Sequence, residues 1–325
     1  MKILRPLAGI YQIATTLRNR AFEAGWFDSQ NFGIPTVAVG NLSVGGTGKS
    51  PAVEWLLRAF ADKQTLVVSR GYGRKSKGYL KVDPTGLAHD FGDEPLQIAT
   101  KFPGADVIVS EKRSLGIAEY LKTHPAPELI LLDDAFQHRS VHRDFNLMLS
   151  TYQKPFFRDL VLPAGRLRES RKGAGRASAI IFTKCPSHID WNAYRKATER
   201  YSAAPVYFSS LEYQFEHPKE QPLILLTGLA FAGPLEEFLK KRYHLVQHFA
   251  FGDHHSFAKS EIETVIKEVQ DKKACLVYSE KDQMRLRPFE HLLSTIDHKS
   301  IEVRMKFTEA EEKAFRKQVK EALGF

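Results

Sequence analysis

Cysteine occurs only twice in the 325 residues, at Cys185 and Cys275. Neither belongs to a C-x-x-C pair, so a disulfide-stapled secreted scaffold is excluded. Each adjoins an apolar run, which reads as a buried, reduced thiol of a cytosolic protein. Long hydrophobic runs are missing as well. The longest uncharged stretch near the N-terminus, Pro6 to Leu17, is too short to span a bilayer, and no small-residue cleavage site follows it. Neither a membrane span nor a signal peptide is therefore expected. Acidic residues are in deficit, 38 against 47 basic ones, for a net charge of +9. That surplus suits an anionic partner, whether nucleic acid, a phospholipid surface or a phosphorylated substrate. Internal repeats and low-complexity tracts are absent too.

The charged fraction of 26% and the hydrophobic fraction of 43% are those of a folded chain, long enough for two medium α/β domains. Short β-rich runs alternate with helical stretches, which predicts mostly parallel sheets with crossover helices. Strands are expected at 36–39, 66–69, 107–110, 129–132, 145–149, 179–182 and 206–208. A polar stretch, Ser209 to Pro222, then intervenes. A second set follows at 223–226, 246–249, 274–278 and 301–303, and residues 308–323 read as a closing helix. Ahead of all this, Ile3, Leu7, Ile10, Ala14, Leu17 and Ala21 recur at steps of three and four, one helix face. Lys2, Arg5, Arg18 and Arg20 surround that face with positive charge. Such a helix either packs on the protein's own sheet or lies on an anionic membrane.

The segment "VGNLSVGGTGKSP" (39–51) carries the first chemical signal. It ends in Gly48-Lys49-Ser50, the ending of a phosphate-binding loop, yet Ser43 stands where the usual spacing needs glycine. Context supports the phosphate reading: an apolar strand enters the loop and a helix-forming stretch, Ala52 to Phe60, leaves it. Backbone N–H groups and a helix N-terminus then face an anion. Lys49 would reach the terminal phosphates and the Ser50 hydroxyl would hold Mg²⁺. A plain strand-to-helix turn needs neither the lysine nor Gly45, Gly46 and Gly48. The second half of such a site is "LILLDDAFQHR", where Asp133 and Asp134 emerge from a buried-strand pattern, either one able to bind the metal. Gln137 and His138 follow at three and four residues.

Two further motifs stay open on the residues alone. In "HDFGDEPLQIA", Asp93 and Glu94 open a helix, and two acids there either cap it or supply a general base. In "FAFGDHHSF", Asp253, His254 and His255 adjoin, but no further ligand at zinc-like spacing accompanies them. The strand end "FTKCP" lacks the Asn and Asp with which GTPases read guanine, which favours ATP over GTP. No basic-aromatic interleaving supports nucleic acid.

Taken in order, "GNLSVGGTGKSP", "SRGYGR", "GDEP", "LDDAFQHR", "LPAGRLRE", "DHHSF" and "SEKDQMRL" closely resemble the lipid A 4'-kinases, the tetraacyldisaccharide 4'-kinases of lipopolysaccharide synthesis. The resemblance runs from the N-terminal helix to about residue 286, and this family's loop has the same glycine offset. It implies a P-loop NTPase-like, mostly parallel sheet domain at 26–212, a second, smaller α/β domain at 213–325 closing the cleft, and a membrane-surface amphipathic helix at 1–25. It also implies an ATP- and Mg²⁺-dependent kinase phosphorylating the 4'-hydroxyl of an acylated glucosamine disaccharide 1-phosphate. The nucleotide would lie on Gly45, Gly46, Thr47, Gly48, Lys49 and Ser50, with Ser50, Asp133 and Asp134 around the metal. Asp93 resembles the base and His254, favoured over His255, its partner. Arg113, Gln137, His138, Arg168 and Glu169 match positions facing the acceptor lipid. The expected location is cytoplasmic, peripheral on the inner face of the inner membrane, with no nucleic acid and no obligate protein partner. The rivals are a P-loop kinase of a soluble acceptor and a nucleotide-dependent regulatory switch.

Overall fold

The computed structural model describes residues 5–325, beginning with helix α1 (Arg5–Glu23). Lys2 and Ile3 of the predicted helix face lie outside the described residues. Next come β1 (Thr36–Asn41), α2 (Lys49–Ala59), β2 (Thr65–Ser69), β3 (Leu80–Lys81), α3 (Ala88–Phe91), α4 (Asp93–Lys101) and β4 (Asp106–Val109). The first half continues with α5 (Arg113–Thr123), β5 (Leu129–Leu132), β6 (Phe145–Thr151), β7 (Ala179–Thr183), α6 (Trp191–Glu199) and β8 (Val206–Phe208). These strands form one sheet in the order β3-β4-β2-β5-β1-β6-β7-β8, parallel except for β3. β1, β2, β5 and β7 are buried along their whole length, as their unbroken apolar sequences require when helices cover both faces.

The second half runs β9 (Ser210–Gln214), β10 (Leu223–Thr227), α7 (Gly233–Arg242), β11 (Leu245–Ala250), α8 (Lys259–Asp271), β12 (Cys275–Ser279), α9 (Glu280–Leu286), α10 (Glu290–Leu293), β13 (His298–Lys306) and α11 (Glu309–Leu323). Its sheet has the order β11-β10-β12-β13-β9, with β9 alone antiparallel.

Every strand expected from the sequence forms, and two unexpected ones appear. Both β3 and β9 are antiparallel edge strands. The polar stretch after residue 208 is therefore not a free connector: Ser210 to Gln214 pairs with Glu302 to Lys306. The expected division at 212/213 shifts accordingly, because residues 210–212 belong to the second sheet. The 213–325 unit also gives up its last helix. Phe315, Val319 and Leu323 of α11 join Trp55, Phe145 and Tyr207 in the core over the first sheet, with Trp55 and Phe315 ring centroids 5.0 Å apart.

Charge stitches the two halves together. The Lys101 ammonium sits 2.8 Å from Glu54, 2.7 Å from Glu280 and 2.8 Å from Glu302. α1 stands apart from both sheets in one respect. Its Ala8 side is buried, whereas Leu7, Ile10, Ile13 and Leu17 are 55% to 67% exposed. The apolar stripe read from the sequence thus faces away from the body instead of packing on it. Among the described residues, no helix is long and apolar enough to cross a membrane.

Candidate active site

Parallel strands deliver their following loops to one edge of the sheet: the phosphate loop follows β1, Asp133 and Asp134 follow β5, and Arg168 and Glu169 follow β6. The glycine loop ends at Gly48, whose φ of 86° is left-handed backbone that glycine adopts without strain. Lys49 opens α2 directly behind it. The Thr47 side chain turns inward, accepting from Asn41 Nδ2 at 2.6 Å, so its contribution to an anion is its backbone. A strap holds the loop from outside: Val44 N donates to the Arg166 carbonyl at 2.8 Å and Arg168 N to Leu42 at 2.6 Å. This strap is the "LPAGRLRE" segment. It sets Arg168 bidentate on Asp134, with contacts of 3.1 and 3.2 Å. Lys49 Nζ lies 3.7 Å from the same carboxylate.

Asp133 is buried at the end of β5 and accepts from Ser69 Oγ at 3.0 Å. Burial, then the charges of Glu94 and Asp134, push its carboxyl above the ordinary aspartate range. Ser50 Oγ donates to Glu94 at 3.2 Å. Hydroxyl and carboxylate oxygens gathered at one place are a hard-cation donor set, and they fit Mg²⁺. Among the described residues, no three His, Cys, Asp or Glu side chains cage a metal unaided.

Asp93 begins α4 after Gly92, whose φ of 91° and close approach to Gly71 leave no room for a side chain. One Asp93 oxygen accepts from Glu94 N at 3.0 Å. The other is 3.0 Å from His254 Nδ1, reaching across from the β11–α8 loop. The hydrogen bond to Asp93 raises the His254 imidazole above its ordinary value, outweighing burial. His255 turns instead to Glu261, at 2.9 Å. Of the two histidines, His254 alone meets Asp93.

The expected acceptor residues divide. Arg168 and His138 are partly open. Burial and the cations of Arg113, Arg18, Arg143 and Arg70 lower His138 to about 4, leaving a neutral imidazole among arginines. Arg113 and Glu169 are 4% and 2% exposed, so both sit beneath the surface, contrary to the expectation that they face the lipid. Arg113 donates to the Asp133 carbonyl at 3.1 Å. Glu169 accepts from Gln137 at 3.0 Å, Arg176 at 2.8 Å and Asn19 of α1 at 2.5 Å. Gln137 also bonds the Asn41 carbonyl at 2.8 Å.

A cleft of about 470 Å³ joins these parts, lined by the glycine loop, Tyr72, Glu94, Asp134, Arg168 and His254. Glu94 and Lys281, which form a half-buried ion pair across it, received no separate assignment from the sequence. Lysine neighbours, foremost Lys281, hold the Glu94 carboxyl low despite burial. Lys281 lies in "SEKDQMRL", a stretch with no chemistry of its own until folding sets it opposite "GDEP".

A lysine-bearing phosphate loop, twin aspartates at a neighbouring strand end and a carboxylate–histidine pair over the cleft define a P-loop phosphotransferase. A family model for tetraacyldisaccharide-1-P 4'-kinases, LpxK, matches residues 1–324. The chain belongs to this family. Tetraacyldisaccharide 4'-kinases of Bacteroides thetaiotaomicron and Flavobacterium psychrophilum are 38% and 41% identical to it, each over 88% of this chain and over 83% and 87% of their own. A solved structure of LpxK from Aquifex aeolicus in complex with ATP superposes with a TM-score of 0.78, at 28% identity and 99% coverage of both chains.

Proposed function

We propose that this kinase transfers the γ-phosphoryl group of ATP to the 4'-hydroxyl of an acylated glucosamine disaccharide 1-phosphate, at the cytoplasmic face of the inner membrane. The observation that carries this reading is the Asp93–His254 contact at 3.0 Å, made over the lysine-bearing loop. Asp93 takes the proton of the incoming hydroxyl, whose oxygen bonds to the γ-phosphorus in line as the bond to the β–γ bridging oxygen breaks. His254 fixes the carboxylate and shares its charge. Lys49 leaves Asp134 for the phosphates, and the N–H groups of Gly45 to Ser50 cradle them. Ser50, Asp133 and Asp134 would hold Mg²⁺, which would neutralise phosphate charge there.

The acceptor enters beside α1. Arg168, His138 and Gln137 meet its sugar and phosphate, with Arg113 and Glu169 buried behind them as supports. The exposed stripe of Leu7, Ile10, Ile13 and Leu17 suits a membrane surface, where the acyl chains of the acceptor remain. α1 touches the site directly, through Arg18 on the Gln137 carbonyl at 3.0 Å and Asn19 on Glu169 at 2.5 Å.

Incubation with ATP, Mg²⁺ and a detergent-dispersed acylated disaccharide 1-phosphate, followed by product mass, tests the proposal. One added phosphoryl group is expected, with far weaker use of the deacylated disaccharide. Equal use of both sugars would assign the enzyme a soluble acceptor.

A further inference from the structure

The Thr183–Lys184 pair closing β7 occupies the place of a guanine-reading strand end but carries no amide or carboxylate to read with. Folding gives it another task. Thr183 Oγ1 donates to the Thr47 carbonyl at 2.8 Å, and Lys184 Nζ donates to the Gly46 carbonyl at 2.9 Å. Two consecutive carbonyls of the phosphate loop are thereby held from β7, leaving the loop's N–H groups to face an anion. Lys184 does this from left-handed backbone, φ 58°. Asp134 at 45° and His254 at 54° share that conformation and the same cleft. Strain of this kind persists where surrounding structure enforces it, chiefly at working sites.

The surroundings of Lys184 indicate what it meets. Its ammonium is 5.8 Å from the ring centroid of Phe231, and that ring is 57% exposed at the cleft. Among the described residues the Lys184 ammonium has no carboxylate partner, although burial and the nearby charge of Lys281 both disfavour its cation. The cleft around Phe231 turns apolar, with Leu211, Tyr213, Leu229, Pro234 and Leu235 in its walls. Lys49, Ser50 and Asp134 line the same cleft.

We infer that Lys184 and Phe231 form the two walls between which the nucleotide base is held, the lysine stem on one side and the aromatic ring on the other. This rests on the kinase reading, since it takes the phosphates to lie on Lys49. A flat heterocycle sliding between them replaces the present lysine–ring contact and covers an exposed aromatic. Because Lys184 comes from the first half and Phe231 from the second, the base ties the halves together. Lys184 is thus a positioning residue. It sets the Gly46 end of the loop and the base in register.

Calorimetric titration with Mg·ATP and with Mg·tripolyphosphate, which has no base, separates the possibilities. Lys184→Ala and Phe231→Ala are each expected to weaken ATP binding by about tenfold. Tripolyphosphate binding should change less than about twofold in Phe231→Ala, and in Lys184→Ala, which also loses the brace on Gly46, it should fall by less than ATP binding does; Lys184→Arg should recover most of the ATP affinity. Unchanged ATP affinity in both alanine variants overturns the inference. So does a loss for tripolyphosphate equal to that for ATP, which would leave Lys184 with its loop brace or a phosphate contact alone and no part in holding the base. A wild-type protein that binds neither ligand would overturn the underlying kinase reading instead.

Discussion

His254 Nδ1 lies 3.0 Å from Asp93 Oδ2, a contact between residues 161 positions apart in the chain. Asp93 belongs to the half of the chain that holds the phosphate loop, whereas His254 arrives from the other sheet. The pair exists only where the two halves meet, so the proposed catalytic pair needs both halves at the cleft. Replacing His254 by Gln should lower kcat by about 10²-fold, the low end for a group engaged in proton transfer. Its pH signature has a definite sign. Asp93 raises the His254 imidazole above its ordinary value of 6.5. The stability from the charged pair is then complete below that value and is lost as pH rises through the raised one. Urea unfolding should show the widest gap between wild type and His254→Gln on the acid side, narrowing as pH climbs. A gap that widens with pH contradicts the assignment.

Asp133 makes the opposite kind of prediction. Its carboxyl is buried with Glu94 and Asp134 nearby, and that crowding raises it. A group held so is unfavourable until a cation arrives. Asp133→Asn in EDTA should therefore melt no lower than wild type, while Mg²⁺-dependent turnover falls by at least about 10²-fold. A large drop in the metal-free melting temperature would make Asp133 a structural aspartate.

The outward stripe of α1 invites a direct test. Replacing Ile10 and Leu17 by Glu removes two side chains worth about 1.5–3 kcal/mol each on burial, so affinity for anionic vesicles should fall by about 10²-fold or more. ATP binding should persist, because α1 grips the body through Arg18 and Asn19 on its other side. Undiminished vesicle binding would move the membrane contact elsewhere.

Lys101 is the cation that three glutamates share where the halves join. Lys101→Met leaves those carboxylates facing one another, offset among the described residues by Arg58, Arg304 and the Gln97 amide. A loss of about 3–5 kcal/mol in urea unfolding is expected. A change within about 1 kcal/mol would mean that solvent already screens the cluster.

The parallel strands were legible because strands covered on both faces read as short apolar runs such as "LILL". The two antiparallel edge strands were not. β3 spans only Leu80–Lys81, and β9, "SLEYQ", mixes polar and apolar side chains at half-exposed positions. The phosphate loop and twin aspartates announced themselves through residue types that have few other uses at a strand end. Asp93 was ambiguous, since an acid opening a helix is ordinary capping, and only the arrival of His254 from another sheet distinguishes it. Lys281, Lys184 and Phe231 carry no local signal. Their partners Glu94 and Gly46 lie far away in sequence, and tertiary packing alone defines the pairs. Arg113 and Glu169 show the converse: sequence marked them for the site, but burial makes them its supports.

The central claim is that Lys49, Asp133 and Asp93 serve one triphosphate and one incoming alcohol. Measuring Mg·ATP affinity and phosphoryl transfer together in Asp93→Asn tests it most directly. The account predicts affinity within about twofold of wild type and turnover reduced by about 10²- to 10⁴-fold. Full turnover in that variant, or loss of ATP binding in step with it, would contradict the account.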